Sequence, residues 1–320
     1  VSRRGGSLPV EIAEETGVLG AEDSAGNMSI KSIRINEAAR IVSGRDEAGA
    51  IVCTGSDKIR SGFGNGDCLL LDFEHMLFAV SDGAERYSQA SREILERLEG
   101  LVQSHGMPRS QGEWLERANE VFAGQRYQHK ATLSIVAVGR RKDGIVLTVI
   151  HGGDSMVLVY DAAKGEFVFR TESNMNFVGR SKGISGLVEV PLDGMEHRIV
   201  ISSDGISDLA RMAGLDTLDY VKGLVTGHAV QEIPGAVHGS LREKIAKDKG
   251  CNFDDIGLIA LDPARLAKKP IRILIGGTSP FEEAEYQRHI SQRDVVDEWI
   301  DAGLILNEKR PVESCGIILL

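Results

Sequence analysis

From about residue 48 onward, short apolar runs alternate with turn residues. The runs are Ala50–Thr54, Cys68–Asp72, Leu77–Ser81, Ala131–Val138, Ile145–Ile150, Met156–Tyr160, Glu166–Arg170, Leu187–Val190, Arg198–Ser202 and Ile256–Leu261. Runs this short, rich in Val and Ile and bounded by Gly or Asp, predict strands. Helical spacing marks Ser88–Ser104 and Gly112–Gly124, where Trp114, Leu115, Ala118 and Val121 share a face, and then Ile206–Thr226 and Ile233–Asp248. The order is strands, helices, a long series of strands, helices, then a strand. It predicts a layered α+β fold rather than a strictly alternating parallel sheet.

The ends differ in texture. Residues 1–29 are rich in Gly, Glu and Ser without periodicity and read as a lead-in. The body runs from 30 to 265. Beyond it, Lys268-Lys269-Pro270 marks a junction, Ile271–Ile275 a strand, Phe281–Leu306 a helical stretch and Gly316–Leu320 an apolar strand or tail. Residues 266–320 are therefore expected to form an appended α/β unit, which caps the body, recruits a partner protein or extends the main sheet.

Composition narrows the function classes. Of 320 residues, 42% are apolar, enough for a sizeable core, and with only 5% aromatic that core rests on aliphatic side chains. Acids outnumber bases 47 to 37, so the net charge of −10 disfavours nucleic acid and anionic membranes as partners. The longest basic cluster, Arg140-Arg141-Lys142, precedes Asp143-Gly144 and reads as part of a hairpin turn. No stretch approaches the ~20 apolar residues of a membrane span. Cys53, Cys68, Cys251 and Cys315 form no CxxC pair; a disulfide framework and a thiolate zinc site are not expected, and a cytoplasmic setting is.

The candidate chemistry lies in aspartates next to strand candidates. They are Asp82 in Phe78-Ala-Val-Ser-Asp-Gly83, Asp154 in Ile150-His-Gly-Gly-Asp-Ser155, Asp204 in Val200-Ile-Ser-Ser-Asp-Gly205, Asp254 in Phe253-Asp-Asp-Ile-Gly257, and Asp67 in Gly64-Asn-Gly-Asp-Cys68. Any one Asp-Gly is a common turn. The recurrence of an apolar strand ending in Ser-Asp-Gly, at 81–83 and 203–205, is the signal. Hard divalent cations take oxygen ligands, so clustered aspartates point to Mg²⁺ or Mn²⁺ rather than Zn²⁺. Two such ions can clamp a phosphoryl group during in-line attack.

Taken together, these segments resemble the metal-dependent serine/threonine protein phosphatases of type 2C. Leu77–Gly83, Ala131–Val136, Gly153–Leu158, Ile199–Asp208 and Asp254–Gly257 follow the family's motif order over about residues 48–262. The resemblance implies a four-layer α-β-β-α sandwich of two antiparallel sheets flanked by helices, with the metals at one end. It implies that Asp82 bridges two Mn²⁺ or Mg²⁺ ions, that the Gly83 carbonyl reaches one of them, and that Asp204 and Asp254 hold the second. Asp154 with Asp204 is the candidate for a third, weaker site, and Asp67 acts through bound water. The implied activity is hydrolysis of phosphoserine or phosphothreonine in a protein substrate, a signalling role.

Three positions depart from the family pattern. Gly66 stands where the family has Glu, Asp82-Gly-Ala-Glu-Arg86 lacks two glycines of the metal loop, and Gly62 stands where the phosphate-binding arginine is expected. Arg60 or Arg86 is the substitute candidate, since a guanidinium pairs bidentately with phosphate. Retained metal aspartates with altered substrate-side residues fit an active phosphatase with an unusual substrate. They also fit a phosphatase fold kept as a regulatory binding module, or a phosphatase of a small metabolite. Hydrolysis is the leading reading. No Walker A, HExxH or nucleophile-elbow motif competes with it, and Gly257 stands where a cysteine phosphatase built on Cys251 needs its arginine.

Overall fold

The structure is a computed structural model that describes residues 31–33, 40–42, 47–56, 58, 65–83, 89–123, 130–142, 144–178, 183–184, 187–194, 196–248, 251–270, 272–277 and 315–319. The strands, in chain order, are β1 (Lys31–Ile33), β2 (Arg40–Val42), β3 (Ala48–Cys53), β4 (Asp67–Asp72), β5 (Leu77–Asp82), β6 (Leu133–Arg141), β7 (Gly144–Gly152), β8 (Met156–Asp161), β9 (Glu166–Arg170), β10 (Val188–Leu192), β11 (His197–Ser202), β12 (Ile256–Leu261), β13 (Arg272–Gly276) and β14 (Cys315–Leu319). The helices named here are α1 (Ala90–His105), α2 (Gln111–Ala123), α3 (Gly205–Ala213), α4 (Thr217–Gly227) and α5 (Ile233–Lys247).

The strands form two seven-stranded sheets. One has the order β1-β13-β4-β5-β6-β7-β10, the other β14-β2-β3-β12-β11-β8-β9. Pairing is antiparallel throughout except for β1 with β13 and β14 with β2. Period-2 alternation sends side chains to two different cores. In β4, Leu69 and Leu71 face the space between the sheets, while Cys68 and Leu70 face α1 and α2; in β5, Phe78 and Val80 face inward and Leu77 and Ala79 outward. The second sheet repeats this, with Ile259 and Leu261 of β12 inward and Leu258 and Ala260 against α3, α4 and α5. Three apolar layers thus separate four structural layers, which is the expected α-β-β-α sandwich. Strands with both faces buried need apolar residues at every position, and for that reason they appear in the sequence as unbroken runs.

Several boundaries move. The single helix expected over Ile206–Thr226 is two. Gly214, at φ 74°, ends α3 by donating its N–H to Ala210 and Arg211 carbonyls, and Asp216 starts α4 by accepting from the Asp219 N–H at 3.0 Å. The strands β1 and β2, three residues each, carry no periodicity to read. The strand expected after residue 270 forms as β13, and it is an inner strand of the first sheet, paired with β1 and β4. Residues 272–276 therefore extend the main sheet. The helix expected over 281–306 lies outside the described residues.

The hairpin turn expected at Arg140–Gly144 joins β6 to β7, with Arg141 opposite Gly144. Among the described residues, no helix is long and apolar enough to cross a membrane. Against the expectation of no disulfide, Cys53 is disulfide-bonded, and the backbone register sets Cys315 of β14 opposite it.

Candidate metal centre

Five of the sequence-selected aspartates meet at one end of the sandwich. Asp82 closes β5 and Asp67 opens β4, directly opposite each other in register. Asp154 lies in the β7–β8 turn, Asp204 just beyond β11, and Asp254 just before β12. Carboxylate oxygens of Asp82, Asp154 and Asp204 all lie within 4.8 Å of one another. Asp254 is exposed and outside that tight group, yet its charge acts on Asp67, Asp82 and Asp204.

The local sequence explains how these side chains are aimed. Asp82 exchanges hydrogen bonds with Thr132: its N–H donates to Oγ1 at 2.9 Å, and its carbonyl accepts from the Thr132 N–H at 2.8 Å. Gly153, at φ 102°, lets the turn carrying Asp154 pass Thr132, where an added Cβ would lie 2.7 Å from the threonine methyl. Asp204 occupies the N-cap position of α3 but makes no capping hydrogen bond, which leaves its carboxylate to the cluster. Gly205 follows because a Cβ there would come within 1.9 Å of the Asp255 carbonyl.

Asp67 is fully buried. Its Oδ2 accepts from the Ser203 hydroxyl at 2.6 Å, and its Oδ1 has no hydrogen-bond partner. Ser203 Oγ also accepts from the Gly257 N–H at 2.9 Å, so one hydroxyl ties β4, β11 and β12 together. Ser203→Ala is expected to lower unfolding free energy by about 1–3 kcal/mol, because it strips a buried carboxylate and a buried N–H of their partner. Urea denaturation of the two proteins measures the difference.

The cluster is electrostatically uncomfortable without a cation. Burial, then Asp82 and Asp255, hold the Asp67 carboxyl well above the usual carboxylate range. Burial, then Asp204, Asp254 and Asp255, do the same to Asp82. Asp204 is pushed up to about 6 by burial and by Asp154 and Asp254. Three carboxylates at ligand spacing, with an orphaned carboxylate oxygen beside them, are an oxygen-only donor set that fits a hard divalent ion. Asp72, Glu74 and His75 are similarly close. That group is a hairpin turn, in which Asp72 accepts from the Glu74 and His75 N–H groups and contacts His75 Nδ1 at 2.7 Å.

Solved structures share this architecture. The PP2C domain of SiaA from Pseudomonas aeruginosa matches with a TM-score of 0.50 at 16% identity, over 68% of this chain and 86% of that one. The serine/threonine phosphatase PstP/Ppp of Mycobacterium tuberculosis matches with a TM-score of 0.50 at 14% identity, over 68% and 97%. A structure of the PstP catalytic domain in complex with two manganese ions matches with 0.51 at 16%, again over 68% and 97%. The fold is that of the type 2C phosphatases. No protein-family model matches the chain, and no curated protein matches it significantly.

Within the type 2C fold, the structure accounts for one departure and adds residues that sequence reading passed over. A Cβ at Gly66 would lie 2.9 Å from the Gly83 carbonyl, and the Gly83 N–H donates to the Gly66 carbonyl at 2.9 Å, so a larger residue does not fit. The space over Gly66 is filled by Asp255, whose two oxygens accept from the Gly55 and Gly66 N–H groups at 2.6 Å each. Burial pushes Asp255 up to about 7, against the pull of Lys58 and of those N–H groups. Asp208 positions Asp254 by accepting its N–H at 2.9 Å. Lys58 lowers both Asp82 and Asp255. The signals were present only as the second Asp of Asp254-Asp255 and the last of Ile199–Asp208; nothing marked Lys58. Arg60 and Arg86 lie outside the described residues.

Proposed function

We propose that the chain is a metal-dependent phosphatase acting on phosphoserine or phosphothreonine in proteins. The observation that carries the reading is the convergence of Asp82, Asp154 and Asp204, from three separate chain segments, to mutual ligand distance. Asp82, Asp204, Asp254 and the Gly83 carbonyl would hold two Mn²⁺ or Mg²⁺ ions, and Asp154 with Asp204 would complete a third site. Such ions, when bound, supply Lewis-acid neutralisation of phosphoryl oxygens and water activated near neutral pH.

The protein's own groups set the geometry. Thr132 fixes the end of β5 that carries Asp82. Ser203 holds one oxygen of Asp67 and leaves Oδ1 to accept a proton or a water hydrogen. Asp255 ties Gly55 to Gly66, and Lys58, whose charge acts on both Asp82 and Asp255, would offer a cation beside the cluster to a phosphate. Because Asp255 occupies the space over Gly66, the loss of the family's glutamate does not by itself favour a purely regulatory module.

The direct test is phosphate release from phosphoserine and phosphothreonine peptides with Mn²⁺, compared with small phosphoesters and with EDTA-treated protein. Peptide turnover that EDTA removes supports the proposal. Turnover confined to small metabolites redirects it, and tight binding of two Mn²⁺ ions without turnover on any phosphoester rejects it.

The acidic cluster also sets a pH dependence. Asp204 at about 6 and Asp255 at about 7 titrate above their unfolded value of 3.8. The metal-free folded state then binds more protons than the unfolded chain between about pH 4 and 7, so these groups favour folding at acid pH and lose that contribution as pH rises through the window. A bound cation makes the same correction. The Mn²⁺-induced rise in Tm is expected to be larger at pH 8 than at pH 5.5, as thermal melts with Mn²⁺ and with EDTA will measure.

A further inference from the structure

The strands that carry the acidic cluster at one end carry a different feature at the other. Thr132, bonded to Asp82, immediately precedes β6, and residues 137–141 end that strand. At about 3.3 Å per residue, the two regions are roughly 20 Å apart. There a cavity of about 530 Å³ opens between the α1–α2 connection, the β6–β7 hairpin and the segment after β12. Its size is typical of a small-molecule cleft, for which about 300–1,000 Å³ is usual.

The lining has two parts. Met76, Trp114, Val138 and Leu266, all nearly buried, form the apolar floor, and Met107 and Pro108 form a half-buried wall. Around it stand Arg109, Arg140, Arg141 and Lys268, against one carboxylate, Glu189. Glu189 pairs with Arg141 at 2.8 Å and neutralises that arginine. Arg140 donates to the Ala264 and Leu266 carbonyls at 3.3 and 3.0 Å, which holds its guanidinium at the edge of the cavity. Among the described residues, no carboxylate lies within ion-pair distance of the side chains of Arg109 or Lys268. On a chain of net charge −10, three cations in excess around an apolar hollow form a local site of opposite sign.

We propose that this cavity binds a small amphipathic organic anion. The apolar body lies on Met76, Trp114 and Leu266, and the anionic head, a carboxylate, sulfonate or phosphate, meets Arg109, Arg140 and Lys268. Arginine forks and lysine ammonium groups at the rim of a low-polarity hollow favour such a head, and thioether side chains adapt to the shape of the body. The site uses no residue of the acidic cluster, and its occupancy requires no divalent cation.

The test uses the full chain with 8-anilinonaphthalene-1-sulfonate as probe, followed by fluorescence and by calorimetry for stoichiometry. Wild type is expected to bind one probe saturably. The double reversal Arg109→Glu and Lys268→Glu is expected to weaken binding by at least about tenfold, while the matched reversal Arg170→Glu and Lys222→Glu, at exposed positions away from the cavity, changes it less than about twofold. Circular dichroism and Tm establish that each variant is folded. Decanoate is expected to displace the probe, and decanol at the same concentration is not. Absence of saturable binding, equal loss in both double variants, or equal displacement by decanol would overturn the proposal.

Discussion

Asp82→Asn is expected to lower hydrolysis of p-nitrophenyl phosphate in Mn²⁺ by at least about 10³-fold, the scale of effect when a principal electrostatic contributor to a transition state is removed. Asp82 is the shared member of the acidic cluster: it lies opposite Asp67 in register and at ligand distance from both Asp154 and Asp204. The amide keeps the shape and the hydrogen bonds to Thr132, which use the backbone of residue 82. It removes a charge that is held unfavourably among its neighbours, so the metal-free variant is expected to melt at the wild-type temperature or above it. The Mn²⁺-induced rise in Tm should shrink or vanish. An unchanged thermal shift together with unchanged turnover would remove Asp82 from the metal centre and with it the proposed mechanism.

Ending the chain after Arg265 is expected to abolish folding rather than to trim an accessory unit. The truncation removes β13 from between β1 and β4, and β14 from the other sheet. Ile273, Leu274 and Ile275 are 1–4% exposed, and burial of each side chain contributes about 1.5–3 kcal/mol, or about 5–9 kcal/mol for the three. That alone rivals the roughly 5–15 kcal/mol of a typical domain. Glu47 adds to the loss: it is fully buried, pairs with Lys269 and accepts from the Ala267 N–H at 3.1 Å. Truncation takes both of these contacts from a buried carboxylate, a destabilising change. The site suffers too, because the Gly277 N–H donates to the Asp67 carbonyl at 2.8 Å. Soluble expression, near-ultraviolet circular dichroism and urea denaturation of the truncated chain check this. A truncated protein that unfolds cooperatively at the wild-type midpoint would show β13 to be dispensable.

The same two cases mark how far the sequence could be read. Short apolar runs located ten strands to within a few residues, eight of them inner strands, because a strand buried on both faces has no freedom to be polar. The recurring Ser-Asp-Gly at strand ends pointed to oxygen-donor chemistry, because glycine next to an acid is what a crowded strand end requires. Gly205, with the Asp255 carbonyl 1.9 Å from its absent Cβ, is such a case. Each of these signals is local, confined to a few consecutive residues.

What stayed hidden depends on pairing between distant segments. Nothing within residues 272–276 says that they enter the sheet between β1 and β4, since an inner strand and a strand of an added unit have the same alternation. Asp255 looked like a spare acid beside Asp254 until folding set it against Gly55 and Gly66, some two hundred positions away. Lys58 acquires its influence only through what faces it. The basic hollow beneath the β6–β7 hairpin gathers Arg109, Arg140 and Lys268 from three separate stretches, each of which alone is an ordinary solvated charge. The chain's own order of residues determined the layers, their apolar faces and the acids available for chemistry. Tertiary structure alone decided which acids share a site and which carboxylate fills the place of a missing one, because charge–charge and hydrogen-bond energies depend on distance in space and not along the backbone.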